Sequence, residues 1–245
     1  MEENLELDER LSDIVAKQSL NVILLVDKSG SMRGEKLSQV NKAIKDIIVY
    51  LRGLQQENAN INFDLSLLVF GDHAEWQHEK TINVDDYNFE DIVARGTTNL
   101  HETYHKLNEV MEKQSKGGIM PDFGGIAPII ILLTDGHPNR GPWLKELQEL
   151  RKRPWFRVAL KYGVSIGIDD EITDLVLNNF VGDNGDILKV LNIDNLAKII
   201  KIIVLTASKV KSSNSKSVGG KVVSKAAEIK QEIKDNLDDI DDWEW

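Results

Sequence analysis

The sequence predicts an α/β fold: a doubly wound, mostly parallel open sheet with helices on both faces and one antiparallel edge strand. Three observations carry this. Strand-like and helix-like periodicities alternate along the chain. The inner strands read as continuously apolar runs, as strands covered on both faces do. Short turns rich in Gly, Ser and Asp separate the two kinds of segment.

Taken in order, Asn21 to Val26 is an apolar run that reads as a fully buried strand. From Gly34 to Gln55, Leu37, Val40, Ile44, Ile47, Ile48, Leu51 and Leu54 recur every three or four residues and predict a long amphipathic helix. Ile61 to Phe70 alternates first and is then continuously apolar, a second inner strand. Ala74 to Val84 is more polar and suits an antiparallel edge. A helix is expected from Asn99 to about Lys113, a buried strand from Pro128 to Thr134, and a helix from Pro142 to Arg151. Val158 to Ile168 predicts a strand, Glu171 to Phe180 a helix, Asp186 to Val190 a short strand, and Asn195 to about Ala207 a last helix.

This divides the chain into an acidic segment at 1–18, one α/β domain at 19–208, a Ser/Lys/Gly-rich linker at 209–220 and a tail at 221–245. The tail carries four lysines against eight acids. Ala226, Ile229, Ile233, Leu237 and Ile240 give it helical spacing, and it ends Asp241-Asp242-Trp243-Glu244-Trp245. Its two tryptophans suit a docking peptide, and its carboxylates a metal of this or another copy.

With 245 residues, 41% of them hydrophobic, the chain can bury one substantial core. It has no Cys, which excludes disulfides and thiolate metal sites. A net charge of −10 argues against nucleic acid, whose phosphates need clustered Lys and Arg. No apolar run approaches the length needed to span a bilayer. The first twenty residues lack the basic-then-apolar order of a signal peptide. The expectation is a soluble cytoplasmic protein that binds neither membrane nor nucleic acid.

Chemistry concentrates where apolar strands end. Asp27-Lys28-Ser29-Gly30-Ser31 follows the first strand and offers a carboxylate and two hydroxyls at alternate positions. Hard oxygen donors of low total charge suit Mg²⁺, which keeps several of its waters. Two further segments place oxygens at the same end of such a sheet: Gly96-Thr97-Thr98-Asn99 before a helix, and Thr134-Asp135-Gly136 after a strand.

With these three segments in this order, the chain resembles the von Willebrand factor A domain family and its metal-ion-dependent adhesion site, over roughly Ser19 to Ser208. The resemblance implies a Rossmann-like fold and a metal site at Asp27, Ser29, Ser31, Thr98 and Asp135. Ser29 and Ser31 would ligate directly, Thr98 directly or through water, and Asp27 and Asp135 would hold coordinated waters. The metal would be Mg²⁺, with Mn²⁺ or Ca²⁺ as alternatives, and its open position would accept an Asp or Glu carboxylate of a partner protein. Asp27 to Gly34, with Leu132 to Pro138, looks most like the intracellular bacterial branch associated with tellurium resistance. Its members often accompany a Ser/Thr kinase and a PP2C-type phosphatase. The chain departs from that branch at Thr97, where Gly is commoner, and at His101, where a small residue is.

His101-Glu102-Thr103-Tyr104-His105 matches the zinc-protease pattern His-Glu-x-x-His and sets up an alternative, a zinc-dependent hydrolase with Glu102 as base. The third His of the extended pattern is missing, since Asn108 and Met111 occupy the later positions; Glu146 or Glu149 would have to serve. Gly30 to Leu37 imitates a phosphate-binding loop but is one residue short between glycines, and Leu37 stands where a Mg²⁺-binding hydroxyl belongs. No Gly-x-Gly-x-x-Gly follows the first strand. No nucleophile is paired with a base in the presumed site, so the reading is a binding module and not an enzyme. Met32, Arg33, His137, Arg140 and Trp143 are expected around its rim.

Overall fold

The computed structural model describes residues 17–57, 60–138, 141–167, 170–182, 185–190, 196–209 and 243–244. The segment at 1–16, most of the linker and nearly all of the tail lie outside the described residues, as does rim residue Arg140.

The parallel centre of the sheet comprises β1 (Gln18–Asp27), β2 (Ile61–Phe70), β5 (Ile129–Thr134), β6 (Leu160–Ile166) and β7 (Gly185–Val190). β3 (Ala74–Trp76) and β4 (Ile82–Asn83) pair antiparallel with β2, and β8 (Trp243–Glu244) pairs antiparallel with β7. The strand order is β3-β2-β1-β5-β6-β7-β8. The order reverses around β1, because the chain leaves it first towards β2 and later crosses back to β5. In open α/β sheets that reversal leaves a crevice beyond the carboxyl ends of the strands.

Helices α1 (Glu35–Glu57) and α6 (Leu196–Lys209) cover one face; α2 (Leu100–Val110), α3 (Trp143–Leu150), α4 (Pro154–Val158) and α5 (Glu171–Val181) cover the other. Period-two alternation sorts the strands between two cores. Val22, Leu24 and Val26 of β1 join Ile44, Ile47 and Leu51 of α1, while Ile23 and Leu25 join Leu100, Tyr104 and Leu107 of α2. Tyr104 stacks on Phe180 with ring centroids 6.0 Å apart, which ties α2 to α5. The same alternation carries Asp27 onto the α2 side, where the loop before α2 awaits it.

Three expectations change. The edge strand at 74–84 is two short strands, because the polar stretch Gln77 to Lys80 between them offers little to bury. The strand expected from Val158 starts at Leu160, since Pro154–Val158 is a short helix with Pro at its first turn and Val158 is 53% exposed. The antiparallel pairs occupy both edges rather than one.

Candidate metal centre

All five predicted oxygen-bearing residues meet at the carboxyl ends of β1 and β5. Asp27 closes β1, and Asp135 follows the last residue of β5. The β1–β5 register pairs Val26 with Leu133, so the next residues, Asp27 and Thr134, are neighbours across the strands. Ser29 and Ser31 come from the turn after β1, whose residues Gly30–Met32 form a single 3₁₀ turn. Thr98 belongs to a loop fastened to that turn: the Gly30 amide donates to the Gly96 carbonyl at 2.9 Å, and the Arg95 amide to the Lys28 carbonyl at 2.6 Å.

The side chains form one connected set. Ser29 Oγ and Ser31 Oγ lie 3.0 Å apart, and Ser31 Oγ donates to Asp135 Oδ1 at 2.7 Å. Asp27 Oδ1 accepts the Ser29 amide at 2.8 Å. Asp27 Oδ2 accepts Thr134 Oγ1 at 2.7 Å and Thr98 Oγ1 at 3.4 Å. Asp27, Ser29, Thr98 and Asp135 are buried, whereas Ser31 is exposed and opens the cluster to solvent. Burial pushes the Asp27 carboxyl above its ordinary value; hydrogen bonds from Thr134 and Ser29 oppose that, and the charge of Asp135 adds to it.

The residues fit a divalent cation. Three hydroxyls and two carboxylates supply hard oxygens with only two negative charges between them. Gly136 leaves the floor of the cradle bare: a Cβ there would stand 2.8 Å from Thr98 Oγ1, 3.2 Å from Asp27 Oδ2 and 3.8 Å from Ser29 Oγ. A residue with any side chain would fill the space on which those three oxygens converge.

Two participants escape sequence reasoning. Thr134, read only as the end of a strand, is a hydrogen-bond donor to Asp27, and its own oxygen accepts the Gly136 amide at 3.0 Å. Lys36, noted only within the rejected phosphate-loop match, places its ammonium 2.5 Å from Asp135 Oδ2. A signal for Lys36 existed: a cation in the first turn of a helix opposes the dipole and needs a partner to hold it there.

The two departures from the adhesion-site pattern have local explanations. Thr97 Oγ1 donates to Asp72 Oδ1 at 2.9 Å, and Asn99 Nδ2 donates to the Asp72 carbonyl at 2.9 Å, so Thr97 helps fasten the loop from behind. Asn99 also caps α2, accepting the Glu102 amide at 3.2 Å. His101 packs against Gly141, where an added Cβ would stand 2.8 Å from the His101 Cβ and 2.9 Å from Cγ of its ring.

Among the described residues the zinc alternative finds no ligand set. His105 Nδ1 sits 3.0 Å from Glu146 Oε1, Glu102 Oε2 lies 3.3 Å from His73 Nδ1, and His101 Nδ1 is buried without a partner among the described residues. Among those residues no three His, Cys, Asp or Glu side chains converge as a metal site.

On the rim, His137 Nε2 lies 2.8 Å from Asp170 Oδ1, joining the loop after β5 to the cap of α5. Asp170 is partly buried, which raises its carboxyl, but bonds from the Thr173 hydroxyl and amide, His137 and the Ile172 amide outweigh this and hold it down to about 2. Asp170→Ala should cost about 1 kcal/mol, the usual loss for an N-cap. Because the folded value lies below the ordinary 3.8, the stabilisation is complete above that value and lost as pH falls towards about 2. Denaturant melts of wild type and variant should therefore converge over that interval.

A family model described as the von Willebrand factor type A domain matches residues 21–202. Inter-alpha-trypsin inhibitor heavy chain H4 of Homo sapiens is 25% identical over 183 residues, covering 71% of this chain and 18% of that protein. Heavy chain H4 of Bos taurus is 31% identical over 121 residues, covering 49% of this chain and 13% of that protein. The chain thus spans less than a fifth of the length of these relatives. Among solved structures, a von Willebrand factor type A protein from Catenulispora acidiphila superposes with a TM-score of 0.56 at 14% identity, over 78% of this chain and 43% of that one. Proximal thread matrix protein 1 from the mussel byssus gives 0.55 at 17% identity, over 79% of this chain and 49% of that one. At such identities the structural likeness concerns the fold.

Proposed function

Because the chain belongs to the von Willebrand factor type A domain family, a family of protein-interaction modules, we propose that it captures a partner protein through a Mg²⁺-dependent adhesion site. The observation that supports this most is the joining of Ser29, Ser31, Asp27, Asp135 and Thr98 into one hydrogen-bonded cluster that opens to solvent at Ser31. The hydroxyls of Ser29, Ser31 and Thr98 would hold the cation, with Asp27 and Asp135 behind them orienting its waters. Mn²⁺ or Ca²⁺ could stand in for Mg²⁺. The bound cation supplies a Lewis-acidic position for an Asp or Glu carboxylate of the partner, and without it the buried Asp27 carboxylate, which has no cation among its described contacts, repels that ligand. The module binds without catalysing a reaction.

By motif likeness alone, the protein would work in the cytoplasm, in a bacterial stress system of the tellurium-resistance type, with a Ser/Thr kinase or PP2C-type phosphatase as its partner. No helix among the described residues is long and apolar enough to cross a membrane.

The test begins with metal alone. Mg²⁺ at a hundred times its Kd should stabilise the protein by about 2.7 kcal/mol, and a chelator should reverse the gain. Immobilised protein should then retain its partner in Mg²⁺ and release it in EDTA, and Asp135→Ala should retain none under either condition. Capture that is indifferent to both chelator and Asp135→Ala rules the mechanism out.

A further inference from the structure

The ion pair in the site comes from a residue outside the five expected to hold the metal. Lys36 Nζ lies 2.5 Å from Asp135 Oδ2; the Asp135 side chain has no solvent exposure and that of Lys36 has 28%. The two oxygens of this carboxylate are divided between different partners, Oδ1 accepting from Ser31 and Oδ2 from the ammonium.

The placement of Lys36 is costly in itself. It occupies the first turn of α1, where the exposed amides of the helix repel positive charge. The fold nevertheless makes room for it. Gly167, just past β6, adopts φ +62°, and a Cβ there would stand 3.2 Å from Lys36 Cε and 3.9 Å from its Nζ. The gain that offsets the unfavourable position is neutralisation of Asp135, a buried carboxylate that would otherwise face Asp27 uncompensated. Asp27 has hydrogen bonds from Thr134, Ser29 and Thr98 to meet its charge, but no cation among the contacts described for it.

We propose that Lys36 is a tethered counter-ion for Asp135, so that loading the site with a divalent cation is an exchange of the ammonium for the metal. This rests on the metal-site reading above and adds a regulatory property to it. The empty site stays folded because its second carboxylate is already paired. The same pairing lowers metal affinity, since the ammonium must withdraw from Asp135 towards solvent as the divalent charge arrives. Occupancy is thereby poised to follow the free metal concentration instead of being locked in.

The experiment uses the full chain, with Mn²⁺ as the probe, followed by calorimetry and by the paramagnetic signal of the free ion. Lys36→Gln should bind Mn²⁺ about tenfold more tightly than wild type, as removal of a like charge a few ångströms from the ion requires. In chelator the same variant should melt at a lower temperature than wild type, with the difference shrinking at saturating metal. Lys36→Arg, which keeps the charge, should bind Mn²⁺ no more tightly than wild type. Equal or weaker binding by Lys36→Gln overturns the proposal, and weaker binding would make Lys36 a positioning residue for Asp135. Should Lys36→Gln fail to fold, the side-chain ammonium resonance of Lys36 in wild type decides: it shifts during a Mg²⁺ titration if the exchange occurs, and an unmoved signal at saturation overturns it. Wild type that binds no Mn²⁺ at all overturns the metal-site reading itself, a result distinct from binding that Lys36→Gln leaves unchanged.

Discussion

Gly136→Ala is expected to abolish divalent-cation binding while leaving the sheet and its helices intact. The added methyl would lie 2.8 Å from Thr98 Oγ1 and 3.2 Å from Asp27 Oδ2, inside the space that those oxygens and Ser29 Oγ enclose. Gly136 is not among the glycines at positive φ, so alanine meets no backbone objection there. The loop carrying Thr98 has little freedom to retreat, because Gly30, Lys28 and Asp72 all bond to it. The methyl therefore takes the place of the ligand sphere. Far-ultraviolet circular dichroism should match wild type, while Mg²⁺ should no longer raise the melting temperature. A variant that titrates with Mg²⁺ as wild type does would show that the cation sits elsewhere.

The second large effect is expected of Asp27→Asn, which should separate stability from function. The substitution keeps the shape and most hydrogen bonds. The amide oxygen can accept from the Ser29 amide, and Thr134 can rotate its hydroxyl to accept from the new NH₂ group. What disappears is a charge buried beside Asp135. Burial raises the Asp27 carboxyl, so in the folded protein its ionisation is unfavourable, and metal-free stability falls as pH rises through the raised value. In chelator at neutral pH the variant should therefore be at least as stable as wild type, and its advantage should vanish once acid protonates Asp27. Metal affinity should drop by about 10- to 100-fold, the range seen when a group orienting metal-bound waters is lost. Paired melts at acid and neutral pH, each with chelator and with Mg²⁺, check both halves. A variant less stable than wild type in chelator at neutral pH would mean that Asp27 contributes through hydrogen bonding more than its charge costs.

Segments of the chain differ in how much of their structure the local sequence specifies. Val22 to Val26, Leu67 to Phe70 and Ile129 to Leu133 announce inner strands because a strand covered on both faces is apolar at successive positions. The long period of α1 is equally plain. Pro154–Val158 shows no helical period although Pro154 stands at a helix start, because five residues are too few for a period to register. Trp243–Glu244 gave no strand signal for the same reason, and its pairing with Lys189 and Val190 depends on β7 ending the sheet with an unpaired edge. Asp170 as a cap was legible in principle, since an Asp immediately before an apolar helical period is a start signal.

The chemical content of the site was fixed along the chain: Asp27, Ser29 and Ser31 within one turn, Thr98 before a helix, Asp135 after a strand. Local order also fixed that each lies at the carboxyl end of its strand or the amino end of its helix, because period and turn residues are short-range properties. Which atoms touch was decided only when the sheet assembled. The β1–β5 register brought Thr134 to Asp27, 107 positions away, and the crossing of α1 over the sheet brought Lys36 to Asp135, 99 positions away. A first-turn lysine signals that it needs a partner, but which partner it meets has no signature in any window of sequence, since that follows from strand pairing and helix packing across the whole domain. The site's oxygens were therefore legible in the chain, while its counter-ion and the bare floor at Gly136 belong to the fold.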